Sequence, residues 1–310
     1  MADACTCGQG VSNLGLPNCA PVFDIANRFW FSERVNSSGV ENSIDLSGGV
    51  YDQTFFEGLT NNTDVHQRHY PTPEVENYTW VVADSEKQTT TNGNTYVLRK
   101  GSITVTFDLL DVPAKYASKM ESMVCPKMQF VFADVSSNLV GDVSQAFTDD
   151  VLRGIPIQKG SFDLKYTPRT DANRAMLSVS FVVPPSFSAG DLGHIGASEM
   201  TYDVNNVDAL LDVNCSAATG ITTTTFTVDL SLDYGTAIAG LPFEGAVAAD
   251  FTLAEVTPTP GAITITSVTE SATVDGRYVF VIPTQTSADV LRLSLAKTGF
   301  EMTPRTVTIP

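Results

Sequence analysis

Positive charge is scarce in this chain. Its 310 residues hold 18 lysines and arginines against 35 acids, a formal net charge of −17. A surface this acidic repels polyphosphate, so tight nucleic-acid binding is not expected. Charged residues of both signs reach only 17%, which leaves neutral Ser, Thr and Asn to cover the surface, as in strand-rich proteins. Long apolar runs are missing as well. With no stretch of about 18 apolar residues, no transmembrane helix is expected. The opening Met1-Ala-Asp-Ala-Cys-Thr-Cys-Gly has neither a basic n-region nor an apolar h-region. A secretory leader is therefore not expected, and folding in a cytosol is. Thiols stay reduced there, and the odd count of five cysteines argues against a complete disulfide framework.

Chemistry-bearing motifs are equally sparse. No nucleophile elbow, phosphate loop or dinucleotide fingerprint occurs, and no carboxylate pair is flagged by its context as a glycosidase pair. Cys5-x-Cys7 with Cys19 lacks the paired C-x2-C spacing of zinc modules and has no fourth ligand nearby. Ordinary reduced thiols are the expectation there, with zinc or oxidation after release from a cell as alternatives. His66-x-x-His69 has metal-compatible spacing but sits in a polar loop beside Asp64 and Arg68, so solvated loop histidines are expected. His194, in Gly193-His-Ile-Gly, stands alone and reads as structural. Asp203, Asp208 and Asp212, with Asn205, Asn206 and Asn214, lack the Gly and Glu of an EF-hand loop. A solvated turn is expected, and a loose calcium site is the alternative. Four glycosylation sequons begin at Asn36, Asn61, Asn77 and Asn214; without a leader they read as coincidences of an Asn/Ser/Thr-rich surface. The residues thus point to no enzyme and no cofactor.

What the chain does have is period two. Hydrophobic residues make up 43%, enough for real cores. Ile103, Val105, Phe107 and Leu109 alternate with Ser102, Thr104, Thr106 and Asp108, the pattern of a strand with one buried and one wet face. Similar patterns run through Tyr78/Trp80/Val82, Gln129–Ala133, Ile155–Gln158, Phe162/Leu164/Tyr166 and Leu177/Val179/Phe181/Val183. They continue at Phe226/Val228/Leu230/Leu232, Ile263/Ile265, Tyr278/Phe280/Ile282, Leu291/Leu293/Leu295 and Val307/Ile309. Gly, Pro and Asp punctuate them at sandwich rhythm. Residues 78–109 read as a long hairpin whose polar tip, 85–95, carries Asn92-Gly93, a pair suited to positive φ. One helix is expected after Pro113, with Tyr116, Met120, Met123 and Val124 on one face. Residues 36–77, rich in Asn, Ser, Thr and Gly, read as a long functional or disordered loop. The expected fold is all-β, with residues 1–220 and 221–310 as two domains.

Residues 222–310 resemble the C-terminal immunoglobulin-like domains of tailed-bacteriophage virion proteins. Leu232-Asp-Tyr-Gly-Thr-Ala-Ile-Ala-Gly-Leu resembles their opening strand and turn, and Asp250-Phe-Thr-Leu, Gly276-Arg-Tyr-Val-Phe and Asp289-Val-Leu-Arg-Leu-Ser their later strands. Lys297-Thr-Gly-Phe and Val307-Thr-Ile-Pro resemble the closing edge, whereas the antibody-type Cys…Trp…Cys arrangement is absent. Residues 1–220 resemble phage tail tube (major tail) proteins in their overall organisation, in Ile155-Pro-Ile-Gln-Lys-Gly-Ser-Phe and in the strand at 177–183. The resemblance implies a tail-tube-like assembly domain: a β-sandwich with one packed helix that forms stacked hexameric rings around a channel. Through that channel DNA passes without specific binding. It also implies other phage tail proteins as partners, an outward immunoglobulin-like domain with weak host-surface glycan contact, and a place in the virion tail after synthesis in host cytoplasm. No membrane insertion is expected. Contacts between rings are expected at loop 36–77 and tip 85–95, through His66, His69, Lys87, Thr90, Asn92, Gly93 and Asn94. The competing readings are a capsid decoration or head-fibre protein binding the shell or glycans, and a cytosolic hydrolase or lectin.

Overall fold

The chain is all-β, as its alternating pattern requires, with strands far outnumbering helices. The structure, a computed structural model, describes residues 23–143, 150–235 and 240–310. It divides into two units, one ending at Ala209 and one beginning at Leu210.

The body of the first unit is built from two antiparallel sheets. The larger runs Ser43–Asp45, Val151–Arg153, Leu139–Asp142, Met128–Asp134, Ala26–Glu33, His69–Pro71, with Ile155–Pro156 and Leu192–Ile195 as side branches. The smaller runs Asp163–Thr167, Met176–Val183, Ile103–Leu110, Glu76–Val82. Between them lies a phenylalanine-rich core. Phe29 stacks on Phe107 at 4.4 Å, and Phe31, Phe130, Phe162 and Phe181 close around the pair. The inward residues of Ile103–Leu110 and Met176–Val183 alternate buried and half-buried without a break, as expected.

The larger sheet is buried on its other face too. Trp30, Val131, Ala133, Leu139 and Leu152 meet Ile44, Tyr51, Phe56, Ile195, Met200 and Val204 in a second core. This explains why Ala26–Glu33 gives no alternating signal: a strand covered on both sides reads as one apolar run. The covering layer comes from residues 36–77 and 195–207, and residues 36–77 correct the loop expectation. They contain the strand Ser43–Asp45, the helix Gln53–Thr60 and the strand His69–Pro71. The Asp52 carboxylate caps that helix by accepting from Phe55 N at 2.9 Å, and its Phe56 packs edge-on against Trp30. The expected helix is present at Ala114–Glu121 with Ala117 and Met120 buried, and Gln53–Thr60 is a second short α-helix among the described residues.

Arg28 ties the last part of the unit down. Its guanidinium donates to the carbonyls of Thr72 at 2.6 Å, Val207 at 3.0 Å and Asn205. Asn205 also bonds Asn27 and the Asp134 carbonyl.

The second unit is a two-sheet sandwich. One sheet runs Ser267–Glu270, Arg277–Val281, Thr225–Leu232, Leu211–Cys215, Phe300–Met302, with Leu241–Pro242 beside it; the other runs Gly261–Ile263, Phe251–Thr257, Val290–Leu295, Arg305–Thr308. Its core contains Phe226, Phe251, Tyr278, Phe280, Leu291 and Leu293. The buried Tyr278 hydroxyl donates to Phe243 O at 2.9 Å and accepts from Ala246 N at 3.2 Å. The division at 209/210 corrects the expected boundary at 220. Leu211–Cys215 is not linker: Val213 pairs with Leu232 on one side and, in parallel, with Met302 on the other.

Both tryptophans, Trp30 and Trp80, lie in the first unit, so their fluorescence reports its core. Phe29→Ala, which empties the centre of the stack, is expected to destabilise that unit by about 3–5 kcal/mol. Denaturant titration followed by tryptophan emission checks this; a loss below about 1 kcal/mol would contradict the central place given to Phe29.

Candidate assembly surface

The long hairpin exists, and its outer half leaves the sheet. Thr79 pairs with Thr106 and Val82 with Ile103 inside the smaller sheet, and Ala83 N still donates to Ser102 O at 2.9 Å. Beyond that point Glu86–Thr89 and Thr95–Arg99 pair only with each other, as a separate two-stranded sheet. This arm is exposed at every strand residue. Its root depends on Gly101, where a Cβ would stand 1.7 Å from Ala83 O. Only glycine allows the two backbones to pass so closely. Below the root lies a half-open polar depression of about 370 Å³ bordered by Asp84, Glu86, Arg99, Lys100 and Gln158.

Five of the residues expected to make contacts sit on the arm. Lys87 is on its first strand, opposite Val97. Thr90, Asn92, Gly93 and Asn94 form the tip, closed by bonds from Thr90 N to Asn94 O at 2.8 Å and Gly93 N to Thr90 O at 2.9 Å. Gly93 alone takes a positive φ, +81°, so of the Asn-Gly pair only the glycine supplies the left-handed turn. Sequence reasoning missed the apolar part of the arm. Tyr96, Val97 and Leu98 are each more than half exposed. Tyr96 faces Gln88 across the ladder and Val97 faces Lys87, so each face of the ribbon carries one apolar residue; Leu98 is the extra residue at a bulge. Three consecutive apolar residues on a strand too polar elsewhere for burial were the available signal. Glu76–Val82, an edge of the smaller sheet, exposes Val81 and Val82 next to the root. Asp163–Thr167 is the opposite edge.

The two histidines part company. His66 is half-exposed in a short turn, with Nδ1 3.0 Å from Glu33 Oε2. His69 is buried, 4% exposed, and cannot touch another molecule. That corrects its expected contact role: its strand pairs with Ala26–Glu33, register Ser32 to His69, and the covering layer encloses it. Burial pushes its pKa down to about 4, against a hydrogen bond with the Gln67 backbone that acts in the opposite direction.

The remaining sequence candidates do not converge. His194 lies on Leu192–Ile195 with its ring edge-on to Phe23. Asp203 accepts from Asn205 N and Ser137 Oγ in the first unit, while Asp212 and Asn214 stand on a strand of the second. Among the described residues no group of three or more His, Cys, Asp or Glu is arranged to hold a metal. Cys125 is exposed and Cys215 half-buried, its thiol pushed up to about 11 chiefly by burial; Cys5, Cys7 and Cys19 lie outside the described residues. In the second unit the described aromatic side chains are buried or half-buried. No helix among the described residues is long and apolar enough to cross a membrane. Neither a model of a known protein family nor a curated protein matches the sequence.

His69 predicts a pH dependence. With its folded pKa near 4 and its ordinary value near 6.5, the unfolded chain takes up a proton that the folded one refuses. Stability is therefore full above pH 6.5, falls as pH drops towards 4, and then levels off, for a total on the order of 3 kcal/mol. Equilibrium unfolding of the wild type and His69→Leu across this window checks it. The variant should lose that slope, and an unchanged slope would contradict the assignment.

Proposed function

We propose that the protein is a virion structural component that assembles with copies of itself into stacked rings forming the tail tube of a tailed bacteriophage. Residues up to 209 build the ring, and the second unit is an outward immunoglobulin-like decoration. The observation that carries the reading is the arm. A lone two-stranded ribbon is marginal in water because it buries little and leaves its ladder wet. This chain nevertheless commits two strands to one, and sets Tyr96, Val97 and Leu98 on it in the open. Ordering such a segment costs roughly 1–2 kcal/mol per residue, a cost offset when a second molecule covers it. The open edges Glu76–Val82 and Asp163–Thr167 add unpaired backbone groups, and ring closure satisfies edges of this kind.

Charge supports the conduit role. A wall with net charge −17 per copy lets DNA pass without holding it. The stretches that resemble tail tube and immunoglobulin-like virion domains supply the viral context.

Negative-stain electron microscopy of the purified protein at high concentration tests the reading. Six-fold rings or tubes are expected, and monomers or trimers at every concentration would contradict it. Trimers or monomers that coat capsids would favour a decoration protein instead. Replacing residues 86–99 by Gly-Gly should leave a folded chain, by tryptophan emission, that forms no tubes; tubes of normal length from that variant would remove the arm from the account.

A further inference from the structure

The arm has a charge opposite to that of the molecule that carries it. Residues 84–100 hold Lys87, Arg99 and Lys100 against Asp84 and Glu86, a net +1 in a chain of −17. The covering layer is its complement. Residues 36–67 contain Glu41, Asp45, Asp52, Glu57 and Asp64 and no lysine or arginine. Four of these carboxylates accept from neutral groups: Asp45 from Ser47 N, Asp52 from Phe55 N, Glu57 from Gln53 Nε2, and Asp64 from the Ser37 hydroxyl and His66 N. Such bonds hold the carboxylates in place without cancelling their charge. Glu41 differs, meeting Arg34 at 3.1 Å and Arg153 at 3.5 Å. The Tyr51 phenol is held above its ordinary pKa first by burial, then by Glu199, by Asp45 of this layer and by Asp150.

Apolar surface follows the same division. Apart from Ile25 and Val135, the exposed large apolar residues of the first unit fall into two groups. Tyr96, Val97 and Leu98, with Val81 and Val82, lie on the arm and at its root. Val35, Val40, Val50 and Val65 lie in or beside the acidic layer.

We infer that the arm of one copy docks on the 36–67 layer of a second copy, its cations against the carboxylates and Tyr96-Val97-Leu98 against the exposed valines. The inference rests on the self-assembly reading and names the surfaces that would carry it. The two surfaces are different, so the contact is head-to-tail and each copy offers both halves; such contacts propagate into closed rings or open stacks. Opposite charge then sets register and speeds encounter, while the apolar residues hold the joint.

A charge swap tests it. Lys87→Glu, Arg99→Glu and Lys100→Glu together take the arm from +1 to −5, and Asp45→Lys, Glu57→Lys and Asp64→Lys together take the layer from −5 to +1. Each variant alone should assemble only at a concentration about tenfold or more above that of the wild type, and an equimolar mixture of the two should assemble near the wild-type concentration. Variants that assemble as the wild type does, or a mixture of folded variants that rescues nothing, would overturn the inference while leaving self-assembly intact. A wild-type chain that never assembles would overturn both. Independently of any variant, the wild-type assembly concentration should rise with added salt; a flat dependence would also overturn the pairing.

Discussion

The strand Ala26–Glu33 is asked to be insoluble on both faces. Phe29 and Phe31 turn into the stack with Phe107, Phe130 and Phe181, and Trp30 turns the other way onto Phe56 and Val131. Everything else in the first unit follows from covering those two faces. The smaller sheet covers one. The other is covered by a layer drawn from residues 36–77 and 195–207, which is why a segment rich in Asn, Ser and Gly carries a capped helix and two strands. Arg28, on the same strand, reaches the carbonyls of Thr72, Asn205 and Val207 and fastens that layer at its far end.

Covering the sheet this way buries Ile44, Tyr51 and Phe56 of the layer and leaves its acids and Val40, Val50 and Val65 outside. The smaller sheet has the opposite history. Its edge strand Glu76–Val82 has no further strand beside it, and the ladder it shares with Ile103–Leu110 runs on past Gly101 into a ribbon that pairs with no other strand among the described residues. The same fold thus produces an acidic, valine-studded platform and a weakly basic projection with a polar tip and apolar residues along its second strand. The proposed function needs no reactive group; it needs a second copy.

The sequence was most legible where burial is one-sided. Ile103–Leu110, Met176–Val183 and Thr225–Leu232 stand within a residue or so of their alternation, because a half-wet strand must alternate. It was least legible where both faces are dry or both are wet. Ala26–Glu33 has no wet face to mark the period. The helix Gln53–Thr60 hides in polar composition because one turn of Phe56 and Thr60 suffices to seat it. His69 looked like a loop residue since nothing local announces that Ser32 lies beside it in the register. The domain boundary was misplaced for a similar reason: Leu211–Cys215 is short, and its place beside Phe300–Met302 is set by residues almost ninety positions away. On the arm, Asn92-Gly93 correctly marked the tip, while Tyr96-Val97-Leu98 carried a signal that only exposure could interpret.

Amide hydrogen exchange on the arm tests the central claim most directly. In dilute, unassembled protein the amides of 86–99 should exchange within seconds, because the ribbon is exposed and pairs with no third strand among the described residues. In concentrated, assembled protein the same amides should slow by about a hundredfold or more, alongside those of 40–65. Arm amides that exchange equally fast at every concentration would mean that no second copy covers them, and the account would fail.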